Sequence, residues 1–293
     1  MSRHVPKFLF LIVILHLNHS SIGYSADVDD FIDFSMEDLP GRLYVPPEAE
    51  THASGRPVIL FLHGAGETGT DNRNQINGNI DNLLAAAKER GTFLYAPQAT
   101  TRVGSISTWN DEQRTDSVMA MVDRILDEQN ADGNRIYITG LSMGGGGAWN
   151  MASRAPDRFA AAVPIAGVRT AADFDPTSMA ATPTWAFHAR NDNVVPARNS
   201  QNVVNSILES AGEPMIAEFP SRRDRETTIE FSNDLLDLNY TEYPLGGHGI
   251  WGRVYDTPEM YDWMFSHAIP EPSSASLLIV GFLFLASKFR HRR

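Results

Sequence analysis

One serine beside a run of glycine stands in GLSMGGGGAW, Gly140 to Trp149. A serine hydroxyl attacks a carbonyl only if a neighbouring base takes its proton and a third group orients that base. Three histidines follow Ser142 ahead of the C-terminal tail: His188, His248 and His267. His248 lies in PLGGHGIWG, a Gly-flanked loop after a strand, from which an imidazole can reach across the end of a sheet. His188 ends the apolar run PTWAFHA and is expected to pack or hydrogen-bond there; His267 ends an amphipathic helix. The acid should leave a strand end between Ser142 and His248 in the order Ser–acid–His. Asp192, in FHARNDNVVP, does so, and Asp173 and Asp175, in AADFDP after another strand, are open alternatives.

Attack on a carbonyl also needs donors for the oxyanion. The backbone N–H of Met143 follows the serine at a helix start. The second donor should come from the loop FLHGAGETG, where Ala65 is the first choice and Gly64 the next. His63 is expected to brace that loop. Trp109, Trp149 and Trp251 are candidates for the pocket wall, though a tryptophan is more often core than contact; Trp251, three residues beyond His248, is the preferred substrate contact.

These residues need a frame. Apolar runs alternate with helical patterns, as in a mainly parallel sheet with helices on both faces. GRLYVP reads as an early edge strand; RPVILFLHG and TFLYAP read as strands around the helix IDNLLAAAKER. TDSVMAMVDRILDEQN puts Val118, Met121, Val122, Ile125 and Leu126 on one helical face, with Asp116 at its positive end. RIYITG, the serine and a helix to Arg154 make strand–turn–helix around Gly140-x-Ser142-x-Gly144, the setting of a nucleophile elbow. FAAAVPIAG, PTWAFHA and YTEYP are further strands. ARNSQNVVNSILESAG is a helix that Gly212 stops, and TPEMYDWMFSH is the last helix. Glu213 to Asn239 has no clear pattern, and FSNDLLDL within it is compatible with a short helix.

Composition removes several chemistries. The chain has no cysteine, so disulfides, a thiol nucleophile and Cys-ligated zinc are excluded. Lys88 is the one lysine between the two ends, which leaves Schiff-base and Ser–Lys catalysis without a residue. No metal or cofactor is called for by the Ser–His–Asp set. The net charge is −12, and the two ends hold six of the 24 bases, so the segment between them is more acidic still. Such a surface repels nucleic acid.

The ends read as addresses. Residues 1–25 have a basic start, the apolar stretch FLFLIVIL, and small residues at Gly23 and Ser25, the pattern of a signal peptide cut by signal peptidase. At the other end, Ser273 to Phe289 is just long enough for a transmembrane span, and the following basic residues would stay cytoplasmic. Pro270-Glu271-Pro272, the short apolar span and the Arg-rich terminus resemble a PEP-CTERM sorting tail. That resemblance implies recognition by an exosortase, and a location anchored in the membrane until processed, then cell envelope or extracellular. The boundaries expected are 1–25, 26–269 and 270–293.

VILFLHGAGETGTDN, RIYITGLSMGGGGAW, FHARNDNVVP and YTEYPLGGHGIW occur in the order seen in the extracellular α/β-hydrolase esterases. That group includes polyhydroxybutyrate-depolymerase-like and feruloyl-esterase-like enzymes, "predicted peptidases" and phospholipase/carboxylesterase-like sequences. The resemblance, from about Leu39 to His267, implies an α/β-hydrolase fold and a triad of Ser142, Asp192 and His248. It also implies a secreted serine esterase acting on ester substrates, polymeric or polysaccharide-linked ones included. The alternatives are a serine peptidase and a non-catalytic envelope or polymer-binding protein. One departure is an extra stretch, Ser221 to Leu238, which is either a lid or a surface excursion.

Overall fold

The computed structural model describes residues 26–47, 55–100, 108–168 and 170–270. The segment 1–25, expected to be a signal peptide, and the expected membrane span Ser273 to Phe289 lie outside the described residues. Among the described residues no helix is long and apolar enough to cross a membrane.

The apolar runs form inner strands, because a strand covered by helices on both faces has no side turned to water. The strands are β1 (Ile32–Asp33), β2 (Gly41–Tyr44), β3 (Arg56–Leu62), β4 (Phe93–Pro97) and β5 (Ala131–Leu141). They continue with β6 (Ala161–Ile165), β7 (Thr184–Ala189), β8 (Ile229–Asn233) and β9 (Leu238–Tyr243). All join one sheet in the order β1-β2-β4-β3-β5-β6-β7-β9-β8. The middle six are parallel, while β1, β2 and β8 pair antiparallel at the two ends. Leu62 pairs with Gly140, Leu141 with Ile165, and Ala189 with Tyr243, so the carboxyl ends of β3, β5, β6, β7 and β9 share one rim. A single rim therefore receives every loop that carries a candidate group.

Among the described residues the α-helices are α1 (Asp81–Glu89), α2 (Glu112–Glu128), α3 (Met143–Arg154), α4 (Pro176–Met179), α5 (Arg198–Ser210), α6 (Trp251–Tyr255) and α7 (Pro258–Phe265). Side-chain alternation along β3 divides the core between two faces. Val58, Leu60 and Leu62 pack with Val118 and Met121 of α2, Trp149 of α3 and Val204 of α5. Ile59 and Phe61 pack with Leu83 and Leu84 of α1, Tyr255 of α6 and Met260 of α7.

Four local expectations are corrected. β2 is not the edge, because the two-residue β1 lies outside it. The long helix starts earlier than its stripe suggests: Asp111 caps α2 by accepting from Arg114 N, and Asp116 is an exposed residue inside the helix. FSNDLLDL is no helix; its first three residues continue β8, and a turn at Asp234–Asp237 leads into β9. Leu235 and Leu236 thus sit where Asn233 pairs with Leu238, at the end of β9 opposite the rim that bears the site. As an apolar cover for a pocket they are misplaced.

Helix α3 crosses the sheet so closely that side chains are excluded. A Cβ on Gly144 would overlap the Leu62 carbonyl oxygen of β3, and one on Gly140 would stand 2.5 Å from the Gly144 carbonyl oxygen. Both obstacles are backbone and cannot rotate away. Gly144→Ala should therefore cost more than about 4 kcal/mol, the range of exceptional core lesions. Urea denaturation followed by circular dichroism tests this; a midpoint within experimental error of the unsubstituted chain would contradict the packing.

Candidate active site

The turn from β5 into α3 puts Ser142 at φ 55°, ψ −114°, a region that non-glycine residues avoid at a cost of about 1–3 kcal/mol. Neighbouring strands hold it there. Ser142 N donates to Ile165 O at 2.9 Å, and Ser142 O accepts from Val168 N at 3.0 Å and Gly146 N at 3.1 Å. With its backbone fixed on both sides, the residue turns its side chain off the rim.

His248 meets it there. The Ser142 Oγ–H donates to His248 Nε2 at 2.8 Å, and His248 Nδ1–H donates to Asp192 Oδ2 at 2.7 Å. Asp192 accepts only, so it fixes the imidazole as the Nδ1–H tautomer and leaves Nε2 as an acceptor. The histidine loop is itself tied to the acid loop, since Gly247 N donates to Asn191 Oδ1 at 2.8 Å.

Asp192 is 1 % exposed, which would normally favour its neutral form. Burial pushes its pKa up, but hydrogen bonds from His188, His248, Val195 N and Val194 N more than offset that and hold it well below the ordinary carboxylate range. Val194 N and Val195 N both reach Oδ1 at 2.8 Å. His188 Nε2–H points to Val195 O at 3.0 Å and stands 3.4 Å from Asp192 Oδ2; its Nδ1 meets Ser200 Oγ at 2.8 Å. The strand-end histidine thus sits behind the carboxylate, away from the serine.

Across the rim, Ala65 opens a 3₁₀ turn, Ala65–Glu67, directly after Gly64. A Cβ on Gly64 would be 3.6 Å from Ser142 Cβ, so this loop runs beside the serine. His63 orients it. Ala99 N donates to His63 Nε2 at 2.9 Å, leaving the ring proton on Nδ1, which donates to Gly64 O at 2.6 Å. The Gly64 carbonyl and the Ala65 N–H belong to one trans peptide and point in opposite directions. Drawing the carbonyl toward His63 therefore turns the Ala65 N–H away from it. Met143, the first residue of α3, stands next to Ser142 at the positive end of the helix.

The structure brings together Ser142, His248 and Asp192, with Met143 and Ala65 adjacent in the chain to the two walls of the rim. Other candidates lie elsewhere. Asp173 pairs with Arg154 at the end of α3, and Asp175 caps α4 by accepting from Thr177 N. His267 bonds Asp237 near the turn that joins β8 to β9. Trp109 and Trp149, candidates whose favoured reading from sequence is core, are core residues at 0 % and 1 % exposure. Trp251 does reach the site, but packed edge-to-face against His248, with ring centroids 5.4 Å apart, and its indole N–H donates to Asn79 at 2.8 Å.

Part of the extra stretch also touches the site. Arg222 donates to Asp192 O at 2.8 Å and to Asn193 Oδ1, and Arg190 Nη1 donates to Asp224 O at 3.4 Å. The segment around Arg222 clamps the acid loop from outside. Sequence reasoning missed Asn79, Arg222 and Asn191, since each acts through a contact at least 29 residues away along the chain. Among the described residues no group of three or more acidic or histidine side chains is gathered as a metal site.

Comparison with known proteins places this geometry in context. Residues 83–221 match the model of the dienelactone hydrolase family. The chain is 25% identical over 256 residues to a bifunctional acetylxylan esterase/xylanase of Neocallimastix patriciarum, covering 83% of this chain and 36% of that protein. It is 33% identical over 134 residues to a poly(3-hydroxybutyrate) depolymerase of Ralstonia pickettii, covering 42% of this chain and 28% of the relative. The chain thus spans about a third of the length of these curated relatives. Among solved structures, a thermostable esterase is 32% identical with a TM-score of 0.66, over 82% of this chain and 64% of the other. The architecture is the α/β-hydrolase fold.

His63 makes the site's frame sensitive to acid. Burial lowers its pKa from 6.5 to about 4, although its bond to Gly64 pulls the other way. Between those values the unfolded chain binds a proton that the folded chain refuses, so stability falls as pH drops from 6.5 to 4 and then levels off. The loss should total about 3 kcal/mol. Urea midpoints at pH 7 and pH 4.5 capture about 2 kcal/mol of it, and His63→Gln should lack that increment. An equal acid-dependent loss in both proteins would contradict the assignment.

Proposed function

We propose that the chain is a serine hydrolase of carboxylic esters. The observation that carries this reading is the unbroken line of hydrogen bonds from Ser142 through His248 to Asp192, 2.8 Å and 2.7 Å long. Ser142 Oγ attacks the ester carbonyl while His248 Nε2 takes its proton. The developing oxyanion is met by the N–H groups of Met143 and Ala65. The C–O bond to the alcohol then breaks, and His248 returns the proton to the departing oxygen, leaving an acyl-serine. Water enters, gives its proton to His248 and attacks the acyl carbon; the acid leaves as Ser142 recovers its proton. Asp192 stays ionised throughout and stabilises the imidazolium that forms twice in the cycle.

The names of the relatives, an acetylxylan esterase/xylanase and a poly(3-hydroxybutyrate) depolymerase, support an ester carried on a polysaccharide or a polyester as the substrate class. The signal-like residues 1–25 and the PEP-CTERM-like end support export, with the sorting tail directing the protein to the envelope or beyond it.

A fluorophosphonate probe should label Ser142, and Ser142→Ala should abolish labelling. Ser142→Ala and His248→Ala should each lower p-nitrophenyl acetate turnover by at least about a thousandfold, because the three residues act as a unit. Asp192→Asn should cost about 10²–10⁴-fold by presenting the wrong tautomer, whereas Asp175→Asn should leave turnover unchanged. Turnover should persist in EDTA, because the triad moves the serine proton without a metal. Labelling at a different residue, or greater damage from Asp175→Asn, would overturn the assignment.

A further inference from the structure

Two sides of the site come from distant parts of the chain: the loop after β3 carries Ala65, and the loop after β9 carries His248. A line of side chains joins them. The Trp251 indole, which packs against His248, donates to Asn79 Oδ1 at 2.8 Å, and Asn79 Nδ2 donates to Glu67 Oε1 at 3.0 Å. An indole N–H can only donate, so it fixes which way the Asn79 amide faces. The amide must turn its oxygen to Trp251 and its NH₂ to Glu67. Glu67 ends the 3₁₀ turn that Ala65 opens, and its main-chain carbonyl is held by Gln98 Nε2 at 3.0 Å. Its other carboxyl oxygen, Oε2, is buried without a hydrogen-bond partner, near the point where a Gly64 Cβ would lie. The line therefore ends inside the protein on the loop beside Ser142.

We infer that Asn79 is a positioning residue, which locks Trp251 against the His248 ring and ties that ring to the Ala65 loop through Glu67. This rests on the hydrolase reading for its effect on turnover. Trp251 is then a backing ring for the base, set by its bond to Asn79, in place of the substrate contact expected from sequence. The relay matters because His248 must swing little while a proton moves from Ser142 to the leaving group, and a ring misplaced by an ångström costs up to about a hundredfold.

A built-in control separates positioning from docking. Asn82, three residues on and inside α1, also reaches α6, since its Nδ2 donates to Gly252 O at 3.2 Å. It is exposed and touches neither Trp251 nor Glu67 in that bond. Asn79→Ala and Trp251→Phe should each lower kcat about tenfold with KM within about twofold. The double variant should be no worse than either single, because both remove one interaction. Asn82→Ala should stay within about twofold of the unsubstituted chain. In parallel, the His248 imidazole resonances should show a second ring orientation in Asn79→Ala and Trp251→Phe but not in Asn82→Ala. Unchanged kcat and a single ring orientation in Asn79→Ala would overturn the inference, as would multiplicative losses in the double variant or an equal loss in Asn82→Ala. A chain that no fluorophosphonate labels would count against the hydrolase reading alone, since the ring spectra still report whether Asn79 orders His248.

Discussion

The closest constraint in the molecule is the crossing of α3 over β3 and β5. Ser142 keeps its unfavourable backbone only because α3 starts at once beneath it, and α3 can start there only if nothing projects from Gly144 toward Leu62. The following glycines extend the same demand. A Cβ on Gly145 would approach Ile165 O at 2.4 Å, and one on Gly147 would come 2.5 Å from Trp109 Cβ. Each glycine weakens an isolated helix by about 1 kcal/mol relative to alanine. That loss is tolerated because nearly every residue of α3 is buried among β3, β6 and the turn at Trp109, so tertiary packing holds the helix together.

Around that fixed serine, the partners are set by electrostatics at a largely buried carboxylate. Asp192 stays charged although buried because four groups donate to it. Its loop is bounded below by a second buried set: Glu242 accepts from Arg190 Nε, Gln201 Nε2 and Tyr240 Oη. Removing one member of such a pair leaves an uncompensated charge at about 3–5 kcal/mol, so the set keeps β7 and β9 in register at the rim. Arg222 then closes the acid loop from the outside. The extra stretch before β9 thus divides in two. Its first part braces the site, and its second is an edge strand and turn at the far end of the sheet.

Much of this was legible in the chain itself. Continuous apolar runs marked β3, β4, β6 and β7, because strands buried on both faces need no polar alternation. The helical stripe marked α2, though the stripe shows where a helix packs and is silent on where its cap lies; Asp111 precedes the first buried turn. β8 escaped because it is short and none of its residues is fully buried: Ile229 and Phe231 alternate with exposed Glu230 and Ser232 over too few residues to stand out from the polar stretch before them.

For the site, the sequence by itself determined the chemical types and their order: a serine on a strand–turn–helix, an aspartate after a strand, a histidine in a glycine-flanked loop. Those follow from local rules, since an elbow and a strand end are written in neighbouring residues. Only the tertiary structure decided which aspartate faces His248, because Asp173, Asp175 and Asp192 all follow strands and differ only in which strand lies next to β9. The pairing of β7 with β9 makes that choice. It also turned Trp251 toward Asn79 and buried Trp109 and Trp149, outcomes set by contacts between residues far apart in the chain, which local pattern cannot encode.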